Sequence, residues 1–526
     1  MDAWMKDYTG APAPTAGPTT PLDGPPATAV PADGTAGSAS GAAPGTAPGL
    51  ADALPEIGGA ARAEAGTSAA PQDTAADAPQ TGPTVRLVTD VLDLDVSLSG
   101  GALVRADLLE YPVRKDDPDT KIRLFDTGDA STLFTYQSGL TTGLADRAEP
   151  NHKAEFTAPV REMTLRDGAE EVALPLRWSD GAGLSVTKTI RLQRGKYAIA
   201  IDYDITNDGA EPVTLAPYAQ LLRHWIAVER SMFKVESYAF RGPAVYDGES
   251  YQKLDIEDED DRGYSRRVTG GWMAALQHHF VAAIVPPAQE AWQHTLRVQD
   301  KDYLMRAVGP PQTVAPGARA RVSETVYVGP KLQAQLETTG PRLELAADYG
   351  KLTILAQPLF WLLDKVHGFV GNWGWSIIIV TLLIKLVFYK LAETSGRSMA
   401  KMRTVAPRMK AIQERHKDDR EAQARAMMEL YKREKINPVA GCLPMLVQIP
   451  FFLAFYWVLL ESVEMRQAPF LGWIQDLSVR DPYFILPLLM GAAMFGQFKL
   501  NPTPPDPVQA KVFAFMPVIM TVMFAW

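Results

Sequence analysis

Long apolar stretches constrain the fold of this chain most strongly, because about 20 consecutive apolar residues can cross the hydrocarbon core of a bilayer as one helix. Four such stretches lie near the end of the 526-residue chain, and we predict that each spans a membrane. The predicted spans cover residues 373–391, 442–460, 483–498 and 508–526. The apolar segment before them contains Pro358 and ends in charged residues, so we predict an amphipathic helix in the membrane interface within residues 341–372.

The first predicted span contains a charged residue, Lys385. A charge at the centre of a membrane helix costs about 2.5–3.5 kcal/mol on insertion scales, and it marks a functional site by default. Thr381 lies four residues earlier and therefore shares the helical face of Lys385. Two interpretations remain open on this segment alone. Either Lys385 lines a polar groove, or its long stem snorkels and carries the ammonium to the lipid headgroups, five residues before Lys390.

The segment between the first two predicted spans is basic and has a helical repeat of apolar residues. Spacings of three and four, typical of a packed amphipathic helix, separate Met399, Met402, Val405, Met409 and Ile412. A second such stripe follows the turn at Lys417, so we predict an antiparallel helical hairpin over residues 392–436. Residues 390–435 carry 13 Lys and Arg against seven Asp and Glu, a net charge of +6. This excess places the hairpin in the cytoplasm and the domain before the spans in the periplasm.

The second predicted span carries a polar residue, Gln448, in its cytoplasmic half, between Pro444 and Pro450. Prolines free backbone carbonyls, which must find partners within protein or in a wet cavity. We therefore expect Gln448 to face the interior of the bundle, at about the depth of Lys385. The loop after this span, residues 461–481, has two basic and four acidic residues, as an external loop should.

The chain before residue 341 has a different composition. Residues 1–83 are dominated by Ala, Pro, Gly, Thr and Ser and cannot bury enough apolar surface to offset their ordering entropy, so we predict a disordered linker. From residue 84 onward apolar and polar residues alternate, with turn residues such as Gly100 between the runs. The clearest alternating runs are residues 91–98, 186–192 and 197–205. Repeated short strands of this kind predict an antiparallel β-sandwich over residues 84–340.

The predicted β-sandwich shows no residue pattern typical of catalysis or metal binding. His278 and His279 are adjacent in a predicted strand, so we expect their side chains to point to opposite faces. The acidic run of residues 255–261 lacks the ligand pattern of a calcium loop. Cys442 is the only cysteine, which excludes an intramolecular disulfide, and the sequence contains no P-loop. We therefore predict a domain that binds or braces, with no enzyme activity, metal or cofactor.

Several motifs together resemble one known family. Those in the C-terminal part are VGNWGWSIII (370–379), SMAKMR (398–403), EKINPVAGCLP (434–444), VEMRQAPF (463–470) and FMPVI (515–519). Those in the predicted sandwich are GLTTG (139–143), FRG (240–242) and GGW (270–272). On these motifs the chain is similar to the YidC family of membrane protein insertases, in its Gram-negative form, over residues 84–526.

The resemblance implies a multi-pass protein of the bacterial inner membrane. In this family a large periplasmic all-β sandwich precedes an α-helical transmembrane bundle with a cytoplasmic helical hairpin, which here puts the insertase core in residues 373–526. The family inserts newly synthesised membrane proteins and helps them fold, alone or with the Sec translocon, and is expected to act as a monomer. Its members begin with a spanning helix and end with another, so the resemblance predicts that this chain starts after the first and stops before the last.

The resemblance also assigns candidate site residues. The family's bundle encloses a hydrophilic groove that is open to the cytoplasm and the lipid, and a basic residue in this groove attracts the polar part of an incoming segment. Lys385 holds that position, where the family usually has arginine, so the charge is kept and the planar bidentate fork is lost. Thr381 and Gln448 are expected beside it, and Phe452 on the helix face that contacts the substrate.

The basic hairpin is the candidate site for nascent substrate, the ribosome or targeting factors, since its charge suits RNA and anionic lipid. Its candidate residues are Arg403, Arg408, Lys410, Arg415 and Lys417. A solvated loop that only obeys the positive-inside rule remains the alternative. The alternative function for the whole chain is a small-solute transporter or channel, which would show paired intramembrane charges or inverted repeats. We see neither in the sequence.

Overall fold

The computed structural model describes residues 82–142, 148–227, 239–417, 419–434, 438–500 and 507–525. An all-β part comes first and a helical part follows it. The linker predicted over residues 1–83 lies outside the described residues, apart from its last two. The predicted β-sandwich and the predicted helical C-terminal region are both confirmed.

The strands of the all-β part form two large sheets. They are β1 (Thr84–Val88), β2 (Leu92–Ser97), β3 (Leu103–Arg114), β4 (Asp117–Phe125), β5 (Phe134–Thr141), β6 (Glu162–Thr164), β7 (Glu171–Ser179), β8 (Leu184–Gln193), β9 (Ala198–Asn207), β10 (Val213–His224), β11 (Gly242–Tyr246), β12 (Tyr251–Lys253), β13 (Ser265–Thr269), β14 (Trp272–Leu276), β15 (Phe280–Val285), β16 (Ala291–Gln299), β17 (Asp302–Val308), β18 (Gln312–Val314) and β19 (Arg319–Pro330). The 11-stranded sheet has the order β13-β16-β17-β10-β5-β3-β2-β1-β6, with β18 beside β10 and β4 beside β3. The eight-stranded sheet has the order β12-β11-β14-β15-β19-β9-β8-β7.

Alternation along the strands explains why the two sheets stack. On β7, Val172, Leu174 and Leu176 are buried, whereas the residues between them are more exposed. Side chains point alternately to the two faces of a strand, so one face of β7 joins the core and the other meets solvent. Adjacent strands pair antiparallel along the eight-stranded sheet, whereas β1 and β6 of the other sheet are parallel. The core between the sheets contains the fully buried Trp272 and Trp292.

The helices follow mainly after the last strand. They are α1 (Glu259–Arg262), α2 (Gln333–Thr339), α3 (Thr353–Val370), α4 (Trp373–Val387), α5 (Tyr389–Arg415), α6 (Arg420–Arg433), α7 (Pro438–Glu461), α8 (Ile485–Leu500) and α9 (Pro507–Ala525). Gly371 ends α3 with a left-handed φ of 67°, a conformation that glycine adopts without a steric penalty. Asn372 then caps α4, because its side-chain oxygen accepts a hydrogen bond from the backbone N–H of Trp375 at 3.1 Å.

Length and hydropathy together test whether these helices could cross a bilayer. Among the residues that the structure describes, none of the single helices qualifies as a membrane span, whereas α4 qualifies jointly with Tyr389–Met402 of α5 across a bend of 63°. The shorter apolar stretches are Leu446–Glu461, Ile485–Leu500 and Lys511–Ala525. The four predicted spans stay predictions.

A second hydrophobic core holds α3, α4 and α7 together. Its buried side chains include Leu359, Phe360 and Leu363 from α3, Val380 and Ile384 from α4, and Ala454, Phe455 and Val458 from α7. α8 and α9 pack on each other, and Gly491 on α8 lets Thr521 of α9 approach where a Cβ atom would collide with it.

The two helices α5 and α6 face each other through apolar side chains. Val405 and Met409 are buried on α5, and Met427, Leu430 and Tyr431 of α6 pack against them. Asp419 caps α6, since its carboxylate accepts hydrogen bonds from two backbone N–H groups of the first turn. The apolar repeat therefore lies where α5 contacts α6, which is the packing that its spacing predicts.

Candidate functional site

Lys385 lies on the last turn of α4 and faces an aromatic ring on α7. Its ammonium nitrogen Nζ is 5.1 Å from the centroid of the Phe452 ring. A cation at this distance from a ring face is attracted by the ring quadrupole. Phe388, the residue that follows α4, also contacts α7, where its ring lies 5.0 Å from that of Phe451 at 64°. The structure thus brings two predicted site residues, Lys385 and Phe452, into contact.

The other two predicted groove residues lie one helical turn away from this pair. Thr381 precedes Lys385 on α4, and its hydroxyl donates to the backbone oxygen of Ile377 at 2.7 Å, which leaves the hydroxyl oxygen free to accept. Gln448 precedes Phe452 on α7, and its amide nitrogen Nε2 is buried without a hydrogen-bond partner among the described residues. Leaving a buried donor unpaired costs about 1–3 kcal/mol, so an acceptor from an incoming molecule would be stabilised here.

The surface around these four residues is apolar and exposed. Its exposed side chains include Leu382 and Leu386 on α4 and Leu446 and Leu453 on α7. Contiguous exposed apolar patches are rare on soluble proteins and mark interaction with lipid or with another protein. A cation and an amide donor within such a patch can hold an acceptor group, such as a carboxylate, beside an apolar segment. That is the chemistry the site offers.

The predicted hairpin residues are spread along the exposed surface of α5 and the turn after it. Arg408, Lys410, Arg415 and Lys417 are exposed. Arg408 pairs with Glu434 at the end of α6, with 2.5 Å between Nη1 and Oε1. The side chain of Arg403 lies outside what the structure describes. Sequence and structure together therefore give a basic surface rather than a defined binding pocket.

Two histidines of the all-β part differ from the sequence expectation. We predicted that His278 and His279 lie in a strand and point to opposite faces, and this is wrong. They form the turn between β14 and β15, where their rings stack with centroids 3.9 Å apart. Because the turn interrupts the period-2 alternation, both rings point the same way, and both Nε2 atoms contact the backbone oxygen of Leu460 at 3.1 and 3.2 Å.

Sequence reasoning also missed the contacts between the all-β part and the loop after α7. Arg466 donates from Nη2 to the backbone oxygens of Pro112 at 2.6 Å and Val113 at 3.2 Å. Lys115 donates from Nζ to the backbone oxygen of Gln467 at 3.3 Å. One signal was available, since Arg466 is one of only two basic residues in a loop that carries four acidic ones. These contacts join residues about 350 positions apart, a separation that no local pattern reports.

A buried charge pair lies inside the sandwich, away from the helices. The Lys188 ammonium donates to the backbone oxygens of Gly100 at 2.8 Å, Gly101 at 3.0 Å and Ser138 at 3.2 Å. Burial lowers the pKa of Lys188 to about 7 and raises that of Glu324 to about 7, while each charge opposes the shift of the other. Both side chains are enclosed, so this pair can stabilise the fold but cannot reach a ligand.

Candidate metal ligands are scattered. Within the described residues, no group of three or more His, Cys, Asp or Glu side chains is placed to hold a metal ion.

Two protein-family models together match most of the chain, and relatives with a named function match it as well. A family model described as YidC periplasmic domain matches residues 84–362, and one described as 60Kd inner membrane protein matches residues 365–526. A membrane protein insertase YidC from Thioalkalivibrio sulfidiphilus is 48% identical over 84% of this chain and 80% of its own length. Another from Pseudomonas syringae pv. syringae is 44% identical over 99% of this chain and 90% of its own.

Solved structures resemble the all-β part only distantly. A galactose mutarotase related enzyme from Lactobacillus acidophilus covers 47% of this chain and 97% of its own, with a TM-score of 0.32 and 7% identity. A likeness at this level says nothing about ligand or activity.

Proposed function

The chain belongs to the YidC family of membrane protein insertases, and on that premise we propose that it inserts its substrates through a hydrophilic groove in which Lys385 supplies the positive charge. It is a bacterial inner-membrane protein with a periplasmic β domain, and it acts on newly made membrane proteins. The observation that carries the proposal is the Lys385 ammonium, 5.1 Å from the Phe452 ring at an exposed apolar surface.

The first step of the proposed mechanism is an exchange of partners at Lys385. The ring of Phe452 attracts the ammonium by about 0.5–2 kcal/mol, depending on how far the pair is desolvated. A carboxylate at 4 Å attracts it by about 4 kcal/mol of Coulomb energy at an effective dielectric constant near 20. An acidic or polar stretch of substrate therefore displaces the ring, and the nearby amide of Gln448 can donate a hydrogen bond to the same stretch.

The second step moves the apolar segment of the substrate into lipid. This segment would pass the exposed faces of α7 and α9, including Phe452. The driving force is the transfer of apolar surface out of water, about 25 cal/mol per Å². A 20-residue segment contributes far more than the one charge contact at Lys385, so the groove needs only to hold the polar stretch for a short time. We propose that no nucleotide hydrolysis is required.

The cytoplasmic side would receive the substrate. We propose that α5 and α6 form a cytoplasmic hairpin, and that its exposed Arg408, Lys410, Arg415 and Lys417 contact the ribosome, targeting factors or anionic lipid. The Sec translocon is a proposed partner for a share of the substrates, and a monomer is proposed to suffice for the others. The membrane topology, with spans built on α4, α7, α8 and α9, is part of the same proposal.

Reconstitution in liposomes tests the groove. Insertion of a small single-span substrate is followed by protease protection, with Lys385 replaced by Arg, Ala or Glu. We expect Arg to keep the yield, Ala to lower it roughly tenfold or more, and Glu to lower it further. Tenfold corresponds to about 1.4 kcal/mol, the part of the roughly 4 kcal/mol Coulomb attraction left after the ring contact is lost and the carboxylate is desolvated. Lys390→Ala serves as the matched control. Equal yields for Lys, Ala and Glu at position 385 would show that the ammonium only snorkels.

A further inference from the structure

The C-terminal end of α7, which we term its outer end, forms hydrogen bonds with the β domain. Both His278 and His279 reach the backbone oxygen of Leu460 through Nε2, at 3.1 and 3.2 Å. A carbonyl only accepts hydrogen bonds, so each ring carries its hydrogen on Nε2. Burial lowers the pKa of His279 to about 3 and that of His278 well below its usual value, so both rings are neutral donors. They satisfy one of the last carbonyls of α7, which a helix cannot satisfy by itself.

A buried lysine lies beside this histidine pair. The backbone N–H of Lys331 donates to the backbone oxygen of His279 at 2.9 Å, and the Lys331 side chain is 2% exposed. Burial lowers the pKa of Lys331, and the charge of Glu461, the last residue of α7, opposes that shift. Glu461 is itself 3% exposed. Lys331 of the β domain and Glu461 of α7 are therefore both buried at the junction where the histidines bond to Leu460.

The two halves of α7 have different surroundings. In the outer half, Ala454, Phe455 and Val458 are buried in the core with α3 and α4. Further along toward the other end, Phe452 is 39% exposed and Gln448 is half-buried. Eight residues separate Leu460 from Phe452, about 12 Å along one helix. A helix held at one end transmits the position of that end over this distance, because its backbone hydrogen bonds are continuous.

We propose that His278 and His279, which donate hydrogen bonds to the backbone oxygen of Leu460, hold α7 as positioning residues so that Phe452 faces Lys385. We term these two histidines, together with the buried Lys331 beside them, the clasp. The inference rests on the proposed groove, since it is the groove that α7 lines. The β domain would then act on insertion without touching the substrate. The contacts of Arg466 with the backbone of Pro112 and Val113 brace the same junction from the other side.

A cross-link between the residue that follows α4, Phe388, and Phe451 of α7 directly reports how α7 is aligned with α4. Phe388 and Phe451, whose rings lie 5.0 Å apart, are replaced by cysteines in the full chain carrying Cys442→Ser, and oxidation in membranes is timed. The double variant His278→Phe/His279→Phe keeps the aromatic stack but removes both donors. We expect it to slow cross-linking roughly tenfold, since losing both hydrogen bonds leaves the buried Leu460 carbonyl unpaired. His278→Gln/His279→Gln keeps an N–H donor and should restore the rate.

Controls separate positioning from general damage to the β domain. His294→Phe, at another buried histidine within the sandwich, should leave the cross-linking rate unchanged. If the double phenylalanine variant does not fold, Lys331→Glu takes its place and should slow cross-linking. The charge swap Lys331→Glu/Glu461→Lys should then restore the cross-linking rate. Insertion yield should follow the cross-linking rate across the variants.

Two outcomes decide between the clasp and the groove. The clasp is overturned if the double phenylalanine variant cross-links at the parent rate, or if the charge swap does not restore that rate. This holds regardless of the insertion yields of the Lys385 variants. Normal insertion by Lys385→Ala together with slowed cross-linking in the clasp variants overturns the groove and leaves the clasp supported as the anchor of α7.

Discussion

Lys188 in the β domain and Lys385 in the helical part show how differently the two regions treat a positive charge. Lys188 is fully buried, and three backbone oxygens within 3.2 Å accept its hydrogen bonds. Lys385 is exposed, and the contact that the described residues give its ammonium is the face of the Phe452 ring. A charge with all its hydrogen bonds made stabilises one structure, whereas a charge with a weak partner can exchange that partner.

The same contrast holds for apolar side chains. In the sandwich the large hydrophobic residues are enclosed, with Trp272 and Trp292 fully buried. On the helices many of them are exposed, including Leu386, Val387, Leu488 and Phe515. Exposed apolar surface of this extent is a liability in water and is what a lipid-facing helix requires. The sandwich thus encloses its large apolar side chains within the chain, whereas the helices leave theirs exposed, as the proposed membrane spans require.

The largest effect is expected from removing the buried charge. Lys188→Met leaves the backbone oxygens of Gly100, Gly101 and Ser138 without the ammonium that donates to them, and a buried polar group left unpaired costs about 1–3 kcal/mol. Thermal unfolding of the β domain within the detergent-solubilised chain, followed by the β-sheet circular dichroism signal, should move to lower temperature. Lys385→Met should leave that transition unchanged. Equal effects of the two substitutions would erase the distinction between the two lysines.

The junction between the two regions should be sensitive to pH through Glu464. Its carboxyl oxygen Oε2 is buried with no hydrogen-bond partner among the described residues, and burial raises its pKa to about 7. The folded state therefore holds a proton that the unfolded state releases above about pH 4.5, so stability falls as the pH rises from about 4.5 to 7, by up to about 3 kcal/mol.

Glu464→Gln isolates this contribution, because glutamine does not titrate. The difference in unfolding free energy between Glu464→Gln and the parent should be small at pH 4.5 and should grow in favour of glutamine up to pH 7. Denaturant unfolding at several pH values measures it. A difference that stays constant with pH would mean that the carboxyl reaches solvent.

A smaller effect is expected at the aromatic partner of Lys385. Phe452→Leu keeps an apolar side chain and removes the ring, which lowers the attraction on the ammonium by about 0.5–2 kcal/mol. Because the substrate has to displace the ring from the ammonium, Phe452→Leu should raise the insertion yield slightly, by a smaller factor than Lys385→Ala lowers it. Phe452→Trp should preserve the yield. Liposome insertion at equal protein amounts measures both. A loss with Phe452→Leu as large as that with Lys385→Glu would mean that the ring, and not the charge, governs the groove.

The parts of the structure that sequence could predict are those set by local periodicity. Alternation along the strands predicted the sandwich, and spacings of three and four predicted that Val405 and Met409 pack between two helices. The turn at His278 and His279 was not predicted, because a two-residue break in an apolar run does not alter the composition of that run. The burial of Lys188 and Lys331 has no signal in the sequence, since charged residues are rarely buried unless paired.

The site itself was predictable only in part. An apolar helix with one charge pointed to Lys385, and the family resemblance supplied its neighbours. The contact between Lys385 and Phe452, and the hydrogen bonds from His278 and His279 to α7, join segments far apart in the chain. Such contacts depend on how whole elements pack, and a single sequence carries no periodic signal for them.

The central claim is that the charge at position 385 selects the polar stretch of the substrate. The direct measurement compares two single-span substrates that differ only in carrying Asp or Lys in that stretch, with either Lys or Glu at position 385. We predict that the ratio of Asp-substrate to Lys-substrate insertion is high with Lys385 and falls roughly tenfold or more with Lys385→Glu, because attraction becomes repulsion. An identical ratio for both proteins would contradict it.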